Sequence, residues 1–271
     1  MEPQVSEAEV LELCHQLKLP TVGREAVRLA TEAARQQVTP LAYLVNVLTL
    51  ELTEREERRA ARRIKAAGFP LPKTLESFDF QRAPQLPEAR LRALATGTYL
   101  ATAEPILFLG ESGTGKTHLA TALGMAAATQ GYAVRFVTAA QLVTELIEAR
   151  DAHDLNRLVG RYSRVAVLIL DELGYLPLAR ADADLLFRVL SDRHERRPVI
   201  VTTNLPFSEW TTVFPDARLC RAVVDRLTHR AHIIETGTHS IRLADTLARA
   251  DKGRRSPRDP PPVPKSSLAP S

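Results

Sequence analysis

Cysteine is almost missing from this chain: Cys14 and Cys220 are the only two in 271 residues, far apart and without CxxC or Cys/His spacing. Their scarcity excludes a disulfide framework and a structural zinc site, and it points to a reducing, cytoplasmic setting. Long apolar runs are missing too; nothing approaches the roughly 18 residues that a membrane-spanning helix needs. The opening stretch MEPQVSEAEV is acidic where a secretory leader would be basic and then apolar. No membrane partner is expected. Net charge is small: 36 Lys and Arg against 32 Asp and Glu leave a formal +4, which permits a polyanionic partner without requiring one. What is there is a globular composition, 45% hydrophobic and 25% charged, in a chain long enough for one sizeable core and a small accessory unit.

From Glu7 to Lys65 the only glycine is Gly23, and Leu41, Leu44, Val45, Leu48 and Leu52 recur at helical spacing. A small all-helical domain is expected over residues 1–68. Gly68, Pro70 and Pro72 in AAGFPLPKTLESFDF break that pattern, because proline removes a backbone donor and drives its predecessor out of the helical region. From Ile106 onward the apolar runs ILFL, AVRFV, VAVLIL, VIVTT and HII alternate with longer amphipathic stretches. Such runs mark parallel strands covered on both faces, so residues 69–244 are expected to form an α/β domain on a parallel sheet. Beyond Asp245 the chain runs into KGRRSPRDPPPVPKSSLAPS, too rich in proline, serine and charge to bury a core. Residues 245–271 are expected to be a disordered basic tail.

Between the first strand and the next helical stretch, predicted from His118 to Gln130, lies GESGTGKTHLA. Gly110, Gly115, Lys116 and Thr117 complete the pattern GxxxxGK[ST]. Glycines let the backbone curl its N–H groups toward phosphate oxygens, and the following helix aims its positive end at the same place. The run Gly110, Glu111, Ser112, Gly113, Thr114, Gly115, Lys116, Thr117 and His118 is therefore assigned to ATP. Lys116 is expected to reach the β and γ phosphates, and Thr117 to ligate Mg²⁺.

The strand VAVLIL delivers Asp171 and Glu172 to its carboxyl end, where ligands of open α/β sheets gather. Asp171 is expected to hold Mg²⁺, and Glu172 to orient and deprotonate the attacking water. A third strand, Val199 to Thr203, ends in Asn204, whose amide is placed to bind the γ-phosphate or the same water. Loop, acidic strand and polar strand end are together what ATP hydrolysis to ADP and phosphate needs.

With GESGTGKTHLA, the segments RFVTAAQLVTELIEARD, LILDELGYLPL, VTTNLPFSEW and VVDRLTHRA resemble the IstB-type transposase helper ATPases of the AAA+ superfamily, and more distantly the helicase loader DnaC. The likeness runs from about Leu17 to Leu243. It departs at Glu111 and Ser112, where that family usually carries two prolines. The resemblance implies an AAA+ P-loop core with a five-stranded parallel sheet behind a helical N-terminal domain. It implies an ATPase that assembles as a homo-oligomer on double-stranded target DNA, deforms it, and recruits or activates a cognate transposase. A replicative helicase loader is the alternative within the same class. The family completes its site with an arginine from the neighbouring subunit, which falls on Arg226, with Arg221 and Arg230 as substitutes. The stretch Ala139 to Arg164, long for a crossover, resembles the extra helix of the initiator branch. After the last strand only HSIRLA precedes the tail, so the usual helical lid is expected to be absent.

DNA contact is expected from TEREERRAARRIK. At 100° per residue Arg55, Arg58, Arg59, Arg62, Arg63 and Lys65 fall within about half the circumference, opposite Ala60, Ala61, Ile64 and Ala67. Against this, Glu54, Glu56 and Glu57 can pair with the arginines and leave an ordinary solvated face. Phe78 and Phe80 have two readings, flanking the adenine or anchoring the core, of which packing is favoured. A small-molecule kinase and a purely structural DNA-bridging protein are the rival functions.

Overall fold

A computed structural model describes residues 6–175, 177–238 and 240–241. The chain opens with three helices. Ser6 caps α1 (Glu7–Gln16) in a capping box with Glu9. Next come α2 (Pro20–Arg35) and α3 (Pro40–Ala67), the second capped by Thr39, with Pro40 in the first turn where a missing N–H is harmless.

No side chain at its own N-cap, Leu19, closes α2. The cap comes from α3 instead. Glu51, only 2% exposed, accepts the Thr21 and Val22 N–H groups at 2.8 and 3.2 Å, while its other oxygen takes Arg55 at 3.0 Å and Arg58 at 3.4 Å. Burial pushes this carboxyl up, but the two amides and Arg55 outweigh it and hold it below its ordinary value. A lowered carboxyl contributes stability that is complete above the unfolded pKa and lost as pH falls through the folded one. Glu51→Ala is expected to cost about 2–3 kcal/mol, seen as an earlier urea transition in the helical circular dichroism signal. Acidification through the carboxylate range should narrow the gap between parent and variant, because only the parent has this carboxylate to protonate. An unshifted midpoint in the variant would mean that this remote cap contributes nothing.

α4 (Glu88–Ala95) and α5 (Thr98–Thr102) lead into β1 (Ile106–Leu109). Then follow α6 (Lys116–Thr129), β2 (Val134–Thr138), α7 (Ala139–Asp151), α8 (Leu155–Arg164), β3 (Val167–Asp171), α9 (Arg180–Arg193), β4 (Val199–Thr203), α10 (Ala217–Thr228) and β5 (His232–Glu235). The five strands are parallel, in the order β2-β3-β4-β1-β5. β1, β3 and β4, the inner three, are buried along their whole length, which is why they read as unbroken apolar runs. Successive side chains feed opposite layers. Leu107, Leu168, Leu170 and Val201 pack with α7 to α10, and Ile106, Phe108, Ile169 and Ile200 with α4 to α6.

The expected amphipathic helix after the glycine loop starts two residues earlier, at Lys116, and is buried on most sides. The sheet covers one side of α6, and α3 and α4 cover others. Ala67 at the end of α3 is fully buried in that layer, with Ile64 beside it, and Arg63 Nε donates to Ala128 O at 2.7 Å. One long helix thus runs from the N-terminal helices into the α/β core. The long crossover 139–164 folds as the two helices α7 and α8. Arg193 is fully buried and spends its guanidinium on the carbonyls of Tyr162, Val165, Ala166 and Pro198, tying the starts of β3 and β4; burial pushes its pKa down to about 9.

The expected tail, 245–271, and most of the segment where a lid would lie fall outside the described residues. No helix among the described residues is long and apolar enough to cross a membrane.

Candidate active site

In the strand order, β4 separates β1 from β3, so the chain segments leaving all three meet at one rim. The register aligns Leu109 with Thr203 and Leu170 with Val201, which sets Gly110, Asn204, Asp171 and Glu172 at neighbouring levels just beyond the sheet.

The loop from Gly110 to Gly115 is held tightly from behind. At Gly110, φ 150°, a Cβ would lie 2.3 Å from Thr236 Oγ1 and 2.8 Å from Gly237 O; at Gly115, φ 96°, it would meet the Phe78 ring at 2.6 Å. Neither position accepts a side chain. The extension of β5 supplies the backing: Thr236 Oγ1 lies 2.6 Å from Thr114 Oγ1, Gly237 O accepts from Glu111 N at 3.1 Å, and Ile241 N donates to Gly113 O at 3.0 Å. Glu111 and Ser112 are exposed on the outer turn of the loop.

No side chain caps α6 at Gly115. The first-turn amides of a helix have no intrahelical acceptor, and with the helix dipole they favour an anion there. Lys116 Nζ folds over the loop onto Gly110 O at 2.7 Å and Glu111 O at 2.6 Å. His118 stands in that first turn, its ring turned toward the segment before the α/β core. Its imidazole Nε2 lies 2.9 Å from Thr74 O and 3.2 Å from Ser77 Oγ, and burial pushes its pKa down.

Asp171 is buried, and its carboxylate accepts Thr117 Oγ1 at 3.0 and 3.2 Å and Thr202 Oγ1 at 2.5 Å. Burial raises its pKa, against the opposing pull of these hydroxyls and the Lys116 charge. Thr202 Oγ1 in turn accepts Glu172 N at 2.9 Å, fixing Glu172 at φ 57° with its side chain exposed at the rim. Asn204 is exposed beside it.

Next to the loop opens a cavity of about 520 Å³, lined by Pro70, Leu71, Phe78, His118 and Ile241 on its apolar side. Phe78 is buried against Phe80, with ring centroids 4.9 Å apart. The packing reading holds for Phe78, which lies in the core and also lines the cavity.

Arg226 lies elsewhere. It lines a cleft of about 110 Å³ with Pro105 and Val199, residues at the amino ends of β1 and β4, so it sits at the rim opposite its own loop. Its guanidinium stacks 4.5 Å over Phe187 and donates to Ala222 O rather than pairing with Asp225. Arg221 and Arg230 are exposed.

The basic stripe of α3 is divided. Arg55 and Arg58 turn to Glu51, and Arg63 to α6. Arg59, Arg62 and Lys65 stay exposed, as does Ala61 on the side expected to pack; Arg59 also pairs with Glu56.

A family model described as IstB-like ATP binding protein matches residues 12–248. The chain belongs to that family. A protein of insertion sequence IS5376 in Geobacillus stearothermophilus, named for ATP binding, is 36% identical over 241 residues, covering 89% of this chain and 96% of its own. Among solved structures, a DnaA replication initiator bound to AMPPCP and single-stranded DNA superposes with a TM-score of 0.55 at 20% identity, over 69% of this chain and 57% of that one. The DnaC helicase loader does so with a TM-score of 0.51 at 22% identity, over 64% and 98%. These two likenesses are of fold alone, an α/β P-loop core on a five-stranded parallel sheet. In this IstB-like chain three further residues join the candidate site by contact, Thr202, Thr236 and Phe78. Sequence reasoning missed both threonines: a threonine at a strand end carries no signal until its neighbour strand is known.

Proposed function

We propose that this IstB-like protein is an ATP-hydrolysing, DNA-binding regulator of transposition. The observation that carries the reading is the linked set Thr117–Asp171–Thr202–Glu172 beside an uncapped helix N-terminus. Hydroxyl and carboxylate oxygens are hard donors suited to Mg²⁺, and Asp171 keeps its carboxylate buried against two hydroxyls only 3.0 and 2.5 Å away. Thr117 and Asp171 would hold that ion, which when bound neutralises charge between the β and γ phosphates. Lys116 and the first-turn amides of α6 hold the phosphates. Glu172 takes the proton of the attacking water, and Asn204 orients it. Arg226 faces away from its own loop, as a residue serving a neighbouring subunit's triphosphate must, and this supports ATP-dependent assembly of a homo-oligomer.

Duplex DNA and a cognate transposase are the partners this reading assigns. The insertion-sequence relative at 36% identity favours it over a helicase loader, whose likeness at 22% is one of fold. ATP turnover with and without duplex DNA tests it; a rate and an assembly state both indifferent to DNA would sink it. On α3, replacing Arg59, Arg62 and Lys65 with alanine should weaken DNA binding and lower the slope of log affinity against log salt by about 0.9 for each phosphate no longer neutralised. Arg55→Ala or Arg58→Ala should instead loosen the N-terminal helices. Equal salt slopes in the triple variant and the parent would remove α3 from the interface.

A further inference from the structure

Two helices end side by side at the rim where β1 and β4 begin. α9 stops at Arg193 with His194 as its C-cap, and α10 stops at Thr228 with His229 as its C-cap. The two helices pack against each other, and these two imidazoles stand with ring centroids 5.6 Å apart. Beyond His194 the chain turns at Glu195, φ 57°, and Glu195 Oε1 lies 3.6 Å from His229 Nδ1. One donor atom from each of His194, Glu195 and His229 lies within 4.8 Å of the others. All three line the cleft of about 110 Å³ that also holds Arg226. Nothing in the proposed hydrolysis uses them.

We propose that these three side chains bind a divalent transition ion, Zn²⁺ by their ligand chemistry. Two imidazoles and a carboxylate, with a fourth position left for water, are a donor set that Zn²⁺ takes, whereas Mg²⁺ prefers oxygen alone. Tetrahedral ligands about 2.0–2.1 Å from Zn²⁺ stand roughly 3.3 Å from one another, so Glu195 and His229 at 3.6 Å are nearly in place. The half-buried His194 ring needs to approach by at most about 1.5 Å.

Four arginines line the same cleft, Arg193, Arg197, Arg226 and Arg230, yet three of them are turned to other partners. Arg193 is spent on its four carbonyls, Arg197 Nη1 donates to Arg164 O, and Arg226 lies on Phe187 and Ala222 O. Arg230 is exposed, where solvent screens it. Two helix C-termini work in the opposite direction: their last carbonyls carry partial negative charge where the imidazoles stand, and Glu195 adds a full one. An ion held there ties the end of α10, just beyond Arg226, to the end of α9. It needs neither nucleotide nor a second subunit, so the site goes beyond the proposed function.

Zn²⁺ titration of the full chain, stripped of metal by a chelator and kept in millimolar Mg²⁺ without nucleotide, is expected to give one ion per chain with a dissociation constant of about 10 μM or tighter. His194→Ala and His229→Ala should each raise that constant by at least about 10-fold, since losing even a hydrogen-bond partner of a metal ligand costs about that much. His153→Asn, on the exposed turn between α7 and α8, should bind as the parent does. With Zn²⁺ about 100-fold above the dissociation constant, the parent's Tm should rise by roughly 5–10 °C and that of the double histidine variant should not. A parent that binds no Zn²⁺ below about 100 μM, or a double variant that keeps the parent's affinity, would overturn the proposal. Should the histidine variants fail to fold without metal, Glu195→Gln decides: the same 10-fold loss supports the site, and parental affinity removes it. ATP turnover enters none of these readouts, so their failure is distinct from a failure of the proposed hydrolysis.

Discussion

Glu172→Gln is expected to keep ATP bound while turnover falls by on the order of 10² to 10⁴, the range of a lost general base. The substitution is nearly isosteric. Glu172 is tethered through its backbone N–H to Thr202 Oγ1, so glutamine keeps the tether and removes only the proton acceptor. Asp171, which Thr117 and Thr202 hold separately, is untouched. Phosphate release in a single turnover, set beside equilibrium binding of a fluorescent ATP analogue, separates the two effects. Lys116→Ala is the contrasting case: in the proposed reading the ammonium is part of the phosphate cradle, so its loss should abolish binding itself. If Glu172→Gln hydrolysed within a few-fold of the parent, the base would have to be another group.

Arg226→Ala should lower turnover by on the order of 10³ or more, the scale of a missing arginine finger, without weakening ATP binding to the isolated chain. The geometry requires the effect to appear in trans. Arg226 lines the cleft at the amino ends of β1 and β4, and the phosphate loop leaves the carboxyl end of β1. Mixing decides it. Arg226→Ala subunits carry an intact loop and Lys116→Ala subunits an intact finger, so equal amounts of two nearly inactive proteins should regain a measurable fraction of parental activity. No recovery at any ratio, with mixed assemblies verified by mass, would remove Arg226 from the reaction and turn attention to Arg221 and Arg230. The stack on Phe187 would then be a packing contact only.

The parts of this site that are legible in the sequence are those with local causes. GESGTGKT must curl because of glycines at set intervals, and a buried strand before it and a helix after it follow from apolar run length. The inner strands β1, β3 and β4 are readable because both of their faces are covered. Elsewhere the pattern is real but its meaning is not local. Leu41, Leu44, Val45, Leu48 and Leu52 have helical spacing, but spacing states a period and leaves open which side of the helix finds a partner. The same ambiguity splits the basic stripe, where Glu51 claims two arginines and α6 a third.

Sequence alone determined the glycine-rich loop between strand and helix, the acidic pair that follows the third strand, and the parallel α/β class, because short-range sterics and the alternation of apolar runs suffice for them. Tertiary structure alone decided that Thr202 joins Asp171 to Glu172, that Thr236 backs the loop, that Arg226 faces away from its own nucleotide cradle, and that one face of α3 is left bare. The two threonine contacts depend on which strands become neighbours and at what register, and the other two on how α10 and α3 dock; both join residues far apart in sequence, beyond the reach of any local rule.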